Sequence, residues 1–190
     1  MKLDDITKFM LKWKWLIAFV ITVTGIFIYT GQNEVKTDDI PEIKRTDITM
    51  NGKHVDVSDI ELVDIKGEKI NILKKATKER TLFIYAAEWC EHCRKFLPVV
   101  ENFKQVYGNK YNVIVVFSGT STKEAVTKYV SENKFTFDWY YDDNMVISDK
   151  LFIQGVPFPV ILEKYDGKLI MRYYLTEREN ILEIEKAMSK

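Results

Sequence analysis

Two short stretches of this 190-residue chain leave little choice of architecture. Residues 81–87 (TLFIYAA) and 111–118 (YNVIVVFS) are apolar at both alternating positions, so neither can be a strand with one wet face. Strands of this kind lie in the middle of a sheet, covered on both sides by helices. Around them, Glu61–Ile65, Leu82–Ala86, Val113–Phe117, Phe137–Tyr141, Val160–Glu163 and Leu169–Tyr173 read as strands, most of them rich in β-branched and aromatic residues. The period-two aromatics Phe135, Phe137, Trp139 and Tyr141 are assigned to one core-facing side.

Helical periodicity fills the intervals. Phe96, Val99, Val100, Phe103 and Tyr107 recur at three- and four-residue spacing, with Gly108 as the stop. A second helix is expected from a capping box at Ser121–Glu124, with Ala125, Val126, Tyr129 and Val130 turned inward. A third is expected from a box at Thr176–Glu179, carrying Ile181, Leu182, Ile184 and Ala187. Asp166-Gly167 between two strand candidates signals a hairpin. Strand–helix–strand units followed by a hairpin and a closing helix predict an α/β sandwich.

The amino terminus carries a different signal. Residues 15–30 (WLIAFVITVTGIFIYT) hold no charge and follow Lys8, Lys12 and Lys14, the pattern of a segment whose leading end stays in the cytoplasm. Sixteen helical residues reach about 24 Å, and Met10, Leu11 and Trp13 can extend them toward a ~30 Å hydrocarbon core. Trp13, Trp15 and Tyr29 suit the two interfaces. An uncleaved anchor is favoured over a cleaved secretory signal, because no persuasive small-residue cleavage site follows. The expected organisation is a cytoplasmic stub and transmembrane anchor over residues 1–31, a tether over 32–57 and a folded domain over 58–190. Residues 13–30 would contact the lipid bilayer, in a single-pass protein of the cell membrane whose domain is extracytoplasmic.

The 28 basic and 28 acidic residues balance, and no dense basic block adjoins exposed aromatics, which argues against nucleic-acid binding. Both cysteines fall within four residues, as Cys90-Glu91-His92-Cys93, which rules out a disulfide framework. A zinc site needs four ligands, whereas the chain adds only His54 and His92 to the pair, so no metal is expected. Covalent haem attachment needs histidine after the second cysteine, where Arg94 stands, and no other cofactor is indicated. A purely structural bridge across four residues would constrain the unfolded chain only weakly. A redox-active dithiol remains. At a strand-to-helix junction, the unpaired N–H groups of the helix start favour a thiolate on Cys90, the nucleophile, while Cys93 one turn later resolves the mixed disulfide.

Glu88-Trp89-Cys90-x-x-Cys93 with Pro98 resembles the active-site helix of thioredoxins, and residues 64–72, 126–142 and 153–157 resemble the TlpA/ResA-like branch of that superfamily. The resemblance covers about residues 57–188. It implies a thioredoxin fold, a central mixed sheet flanked by helices, preceded here by one N-terminal transmembrane helix. It also implies an enzyme that exchanges disulfides with protein clients bearing cysteines, supplied by a membrane or extracytoplasmic redox partner. By the same resemblance Pro157 is the cis-proline, with Pro159 as its rival, Val156 pairs with substrate, and Trp89 covers the motif.

One departure stands out. Thioredoxins commonly bury an acid six residues before the first cysteine, to help move the resolving thiol's proton, and Ile84 occupies that position. Water or a nearby carboxylate, Glu88 or Glu91, is left for the task. Glu91 and His92 are expected to tune the redox poise in opposite senses, by like charge and by thiolate stabilisation. Glutamate in the dipeptide resembles reductases and histidine before the second cysteine resembles oxidases and isomerases, so a reductase is slightly favoured. An oxidase or isomerase, or a non-catalytic accessory protein for assembly or secretion, are the alternatives. The sequence says nothing of oligomeric state.

Overall fold

The computed structural model describes residues 49–50, 53–176 and 180–189. Its strands are β1 (Thr49–Met50), β2 (Lys53–Asp56), β3 (Glu61–Val63), β4 (Lys69–Asn71), β5 (Arg80–Ala86), β6 (Asn112–Ser118), β7 (Asp138–Asp142), β8 (Phe158–Tyr165) and β9 (Lys168–Tyr174). Its helices are α1 (Ile72–Lys75), α2 (Glu91–Tyr107), α3 (Lys123–Glu132), α4 (Val146–Lys150) and α5 (Ile181–Ser189). The expected anchor over residues 13–30 lies outside the described residues. Among those described, no helix is long and apolar enough to cross a membrane.

Seven strands form one mixed sheet in the order β1-β2-β9-β8-β5-β6-β7, and β3 and β4 form a separate hairpin. β5, β6 and β7 run parallel, with β8 antiparallel to β5 on the other side. The central position of β5 explains its composition. Leu82, Ile84 and Ala86 enter one core with Val113, Val115 and Phe117 of β6, under α2, α3 and α5. Phe83 and Tyr85 enter a second core with Ile114 and Val116, under the β3–β4 hairpin, α1 and α4. Each large apolar side chain so buried contributes about 1.5–3 kcal/mol. A single polar substitution in either strand would therefore reach a core whichever way it pointed.

The turns follow local chemistry. Asp166 and Gly167 take φ values of 49° and 73°, as a tight hairpin between β8 and β9 requires. The Asp64 carboxylate accepts from the N–H groups of Lys66 and Glu68, both at 2.8 Å, and so ends β3 at Val63, two residues before the expected end.

Three expectations need correction. The stretch assigned to a tether up to residue 57 contributes β2, whose Val55 and Asp56 pair with Met171 and Ile170 of β9, and Val57 is wholly buried. A strand near the margin of a sheet needs one apolar side only, so alternate valines among charges suffice. The helix after β6 is capped by Thr122, whose side chain accepts from Ala125 N–H at 3.2 Å, and not by Ser121. The last helix is capped at Asn180, whose side chain accepts from Leu182 and Glu183 N–H while Glu183 accepts from Asn180 N–H at 2.7 Å. That reciprocal box replaces the one expected at Thr176–Glu179, of which residues 177–179 lie outside the described residues.

Candidate active site

The buried β5 ends at Ala86, and the chain turns through residues 87–90 into α2. Cys90 is the N-cap of that helix, in extended backbone at φ −76°, ψ 120°. Its sulfur accepts from the Cys93 N–H at 3.4 Å, the role an oxygen plays in an ordinary cap. α2 then runs unbroken through Pro98, which cannot supply an N–H to the carbonyl of Arg94.

Both thiols are free, and their settings differ. Cys90 keeps 7% of its surface in solvent, whereas Cys93 has none, among the apolar side chains of the larger core. Burial, with the Cys90 sulfur adding in the same direction, pushes the Cys93 thiol well above its ordinary range despite the helping backbone of Ala87. The protonated form of Cys93 is thus the resting one.

Across from the dithiol, the Val156–Pro157 bond is cis, and Phe158-Pro159 opens β8 with Pro159 opposite Ile84. The Cys90 thiol donates to the Val156 carbonyl at 3.4 Å. Residues far apart in sequence, the helix start and the loop before β8, therefore meet at one sulfur. Val156 is partly buried and packs against both cores.

The remaining residues are placed less uniformly. Trp89 is 59% exposed, and its indole N–H donates to the Thr120 hydroxyl at 3.3 Å. Glu91 points away to Lys95, at 2.7 Å, and that ammonium followed by His92 holds its carboxyl below the usual range. His92 is exposed. Glu88 accepts from the Ser121 hydroxyl and is not a free surface carboxylate. Ile84 is fully buried, so no acid stands at that position of β5.

Sequence reasoning missed the β6–α3 loop. Thr120, itself held by the Ser118 hydroxyl, accepts from Trp89, Ser121 donates to Glu88, and Tyr141 donates to the Ser121 carbonyl at 2.5 Å. Gly119 lets this loop approach the end of β7, because a Cβ there would stand 2.3 Å from the Asp143 carbonyl oxygen. A serine–threonine run before a helix reads as capping signal, which hid the second use. Among the described residues no cluster of histidine, cysteine and carboxylates is arranged to hold a metal.

Comparison with known proteins agrees with this geometry. A thioredoxin-like family model matches residues 79–169, a span that encloses both cysteines and the cis-proline loop. The thioredoxin-like protein YneN of Bacillus subtilis is 27% identical over 153 residues, covering 80% of this chain and 84% of its own. The thiol-disulfide oxidoreductase ResA of Bacillus cereus is 24% identical over 110 residues, 57% of this chain and 62% of that one. The crystal structure of a DsbF homologue from Corynebacterium diphtheriae superposes with a TM-score of 0.59 at 18% identity, over 77% of this chain and 94% of that one. On fold, site position and these matches, residues 79–169 form a thioredoxin-like domain, and the chain is similar to the ResA-like thiol-disulfide oxidoreductases.

Proposed function

We propose that this protein is an extracytoplasmic, membrane-anchored thiol–disulfide oxidoreductase that acts on protein cysteines through Cys90 and Cys93, as a reductase. The observation that carries the reading is the asymmetry of the pair. Cys90 reaches solvent with its sulfur already facing a helix-start N–H, while Cys93 is sealed behind it. A client disulfide can meet only Cys90.

The steps follow from that arrangement. Cys90 as thiolate attacks one client sulfur, forming a mixed disulfide and releasing the other client sulfur as thiolate. Once its thiol proton is gone, Cys90 no longer donates to Val156, whose carbonyl is free to accept a backbone N–H from an extended client segment. Trp89, exposed beside it, offers an apolar edge to the same segment. Cys93 then loses its proton and attacks the Cys90 sulfur. The intramolecular disulfide forms and the second client thiolate departs. Reversed, the same steps would oxidise a client.

The anchor reading rests on the uncharged run 15–30 behind Lys8, Lys12 and Lys14, and on its consequence that the dithiol works where disulfides persist. The reductase direction rests on glutamate in the dipeptide, by resemblance to reductases. Mixed-disulfide capture with Cys93→Ser in membranes tests the activity. Client proteins should accumulate on Cys90 and vanish when Cys90 is also changed, and capture independent of Cys90 refutes the reading. A reduction potential near the thioredoxin value of about −270 mV supports the reductase, and one near about −120 mV overturns that direction.

A further inference from the structure

The larger core holds three buried tyrosines, Tyr111, Tyr129 and Tyr141. Two have engaged hydroxyls: Tyr111 donates to Glu185 at 3.4 Å, and Tyr141 to the Ser121 carbonyl. Tyr129 differs. It is 6% exposed, and its hydroxyl is buried with no hydrogen-bond partner among the described residues. A buried hydroxyl left unmatched is costly, so its persistence asks for a reason.

Its surroundings supply one. Tyr129 projects from α3 into the cluster that contains Cys93, its ring edge-on to Phe117 at 6.4 Å and to Phe135 at 5.7 Å. The guanidinium of Arg94, the residue after Cys93 on α2, lies 5.5 Å from the ring centre. Burial raises the Tyr129 pKa, Arg94 opposes this, and a charged Cys93 raises it further, so the two groups lie within electrostatic reach. A tyrosine so shifted stays protonated near neutral pH and keeps a proton to donate. The titratable and charged groups acting on it are Arg94 and Cys93, both from α2, and those acting on Cys93 include Cys90. β5 and β6 face the cluster with Leu82, Ile84, Ala86, Val113, Val115 and Phe117, and Arg80, on the same side at the start of β5, is engaged by the Met188 carbonyl and Glu163.

We propose that the Tyr129 hydroxyl donates a hydrogen bond to the Cys93 sulfur, directly or through one water, when that sulfur becomes a thiolate to resolve the mixed disulfide. This rests on the function proposed above. A thiol is a weak acceptor and a thiolate a strong one, so the bond belongs to the charged state and the hydroxyl waits unpaired in the reduced, protonated form. The Cys93 proton passes to solvent, and its electron pair forms the bond to Cys90 as the Cys90–client bond breaks. The client sulfur leaves with the bonding pair. Tyr129 changes no covalent bond. Its stabilisation of the anion meets, by another route, the need left by Ile84.

The test is the full reduced chain in detergent, mixed with an aromatic disulfide that releases a coloured thiolate at each of the two steps. In Tyr129→Phe the second release should slow about tenfold, the scale of one hydrogen bond to a charged group, and its pH midpoint should rise by about one unit. The first release should be unchanged. Titration of the isotope-labelled Cys93 β-carbon in Cys90→Ala, with and without Tyr129→Phe, should show the same rise. Removing an unmatched hydroxyl of purely structural role would leave both readouts unmoved and the fold as stable or more so, and that result overturns the proposal. Equal slowing of both steps overturns it as well. Absence of a second release in the unsubstituted chain instead refutes the proposed function itself, and this inference with it.

Discussion

At the carboxyl end of the parallel strands, two strand-to-helix junctions present backbone N–H groups to a side chain that can carry negative charge. After β7, Asp142 accepts from Ile147 N–H, from Ser148 N–H at 3.1 Å and from the Tyr85 hydroxyl at 3.0 Å, and is 5% exposed. After β5, the Cys90 sulfur, 7% exposed, accepts from one N–H at 3.4 Å and donates to the Val156 carbonyl of another loop. The carboxylate is saturated by donors from the protein itself, so it behaves as a lock between β5, β7 and α4. The sulfur is held but not saturated. One junction stores stability and the other, on the proposed function, keeps a nucleophile available, though the backbone device is the same.

The largest expected effect separates the two at once. Cys90→Ser should reduce disulfide exchange to background in a client-reduction assay while leaving the melting curve nearly unchanged. Asp142→Ala should do the reverse. It strands two backbone donors and the Tyr85 hydroxyl, so urea titration should show a loss of about 2–4 kcal/mol with the reduction potential unmoved. Loss of activity in Asp142→Ala at constant stability would mean that the junctions are not separate devices.

A smaller effect concerns Cys93. Its folded pKa is raised by burial, so between the ordinary thiol value of about 8.5 and the folded value the unfolded chain has released a proton that the folded chain retains. The slope of stability with pH is then negative. Reduced protein should lose up to about 1.4 kcal/mol per pH unit above that point, beyond whatever Cys93→Ala loses over the same range. Equal slopes in the two proteins would show that Cys93 is not sealed as described.

How much of this could be read from sequence depends on how local each cause is. β5 and β6 were legible because their cover on both faces leaves no polar position. The dithiol at a helix start was legible because its chemistry spans four residues. β2 was not, since two valines among charges make a strand only when β9 is there to pair with. The caps at Thr122 and Asn180 were misplaced because several neighbouring residues can each cap, and the start of the helix decides among them. Periodicity put Tyr129 in the core, but a hydroxyl without a partner is a property of the assembled interior. The hold of Ser121 on Glu88 spans thirty-three positions and left no trace in either local pattern.

The smallest expected effect tests whether the open junction is tuned by its own dipeptide. Glu91 would oppose a thiolate on Cys90 by like charge, yet its carboxylate is paired with Lys95 at 2.7 Å and both groups lie in solvent. Exposed pairs of this kind are worth little to stability, but here the pairing draws the negative charge toward the next turn of α2 and away from the sulfur. Glu91→Gln should therefore shift the reduction potential by less than about 30 mV, under tenfold in equilibrium constant. Lys95→Ala leaves the carboxylate uncompensated and should move the potential further, and toward more negative values, because destabilising the thiolate disfavours the reduced form. A larger shift in Glu91→Gln than in Lys95→Ala would place the charge of Glu91 against the sulfur. In that case the dipeptide, and not the burial difference between the two cysteines, would govern the direction of electron flow.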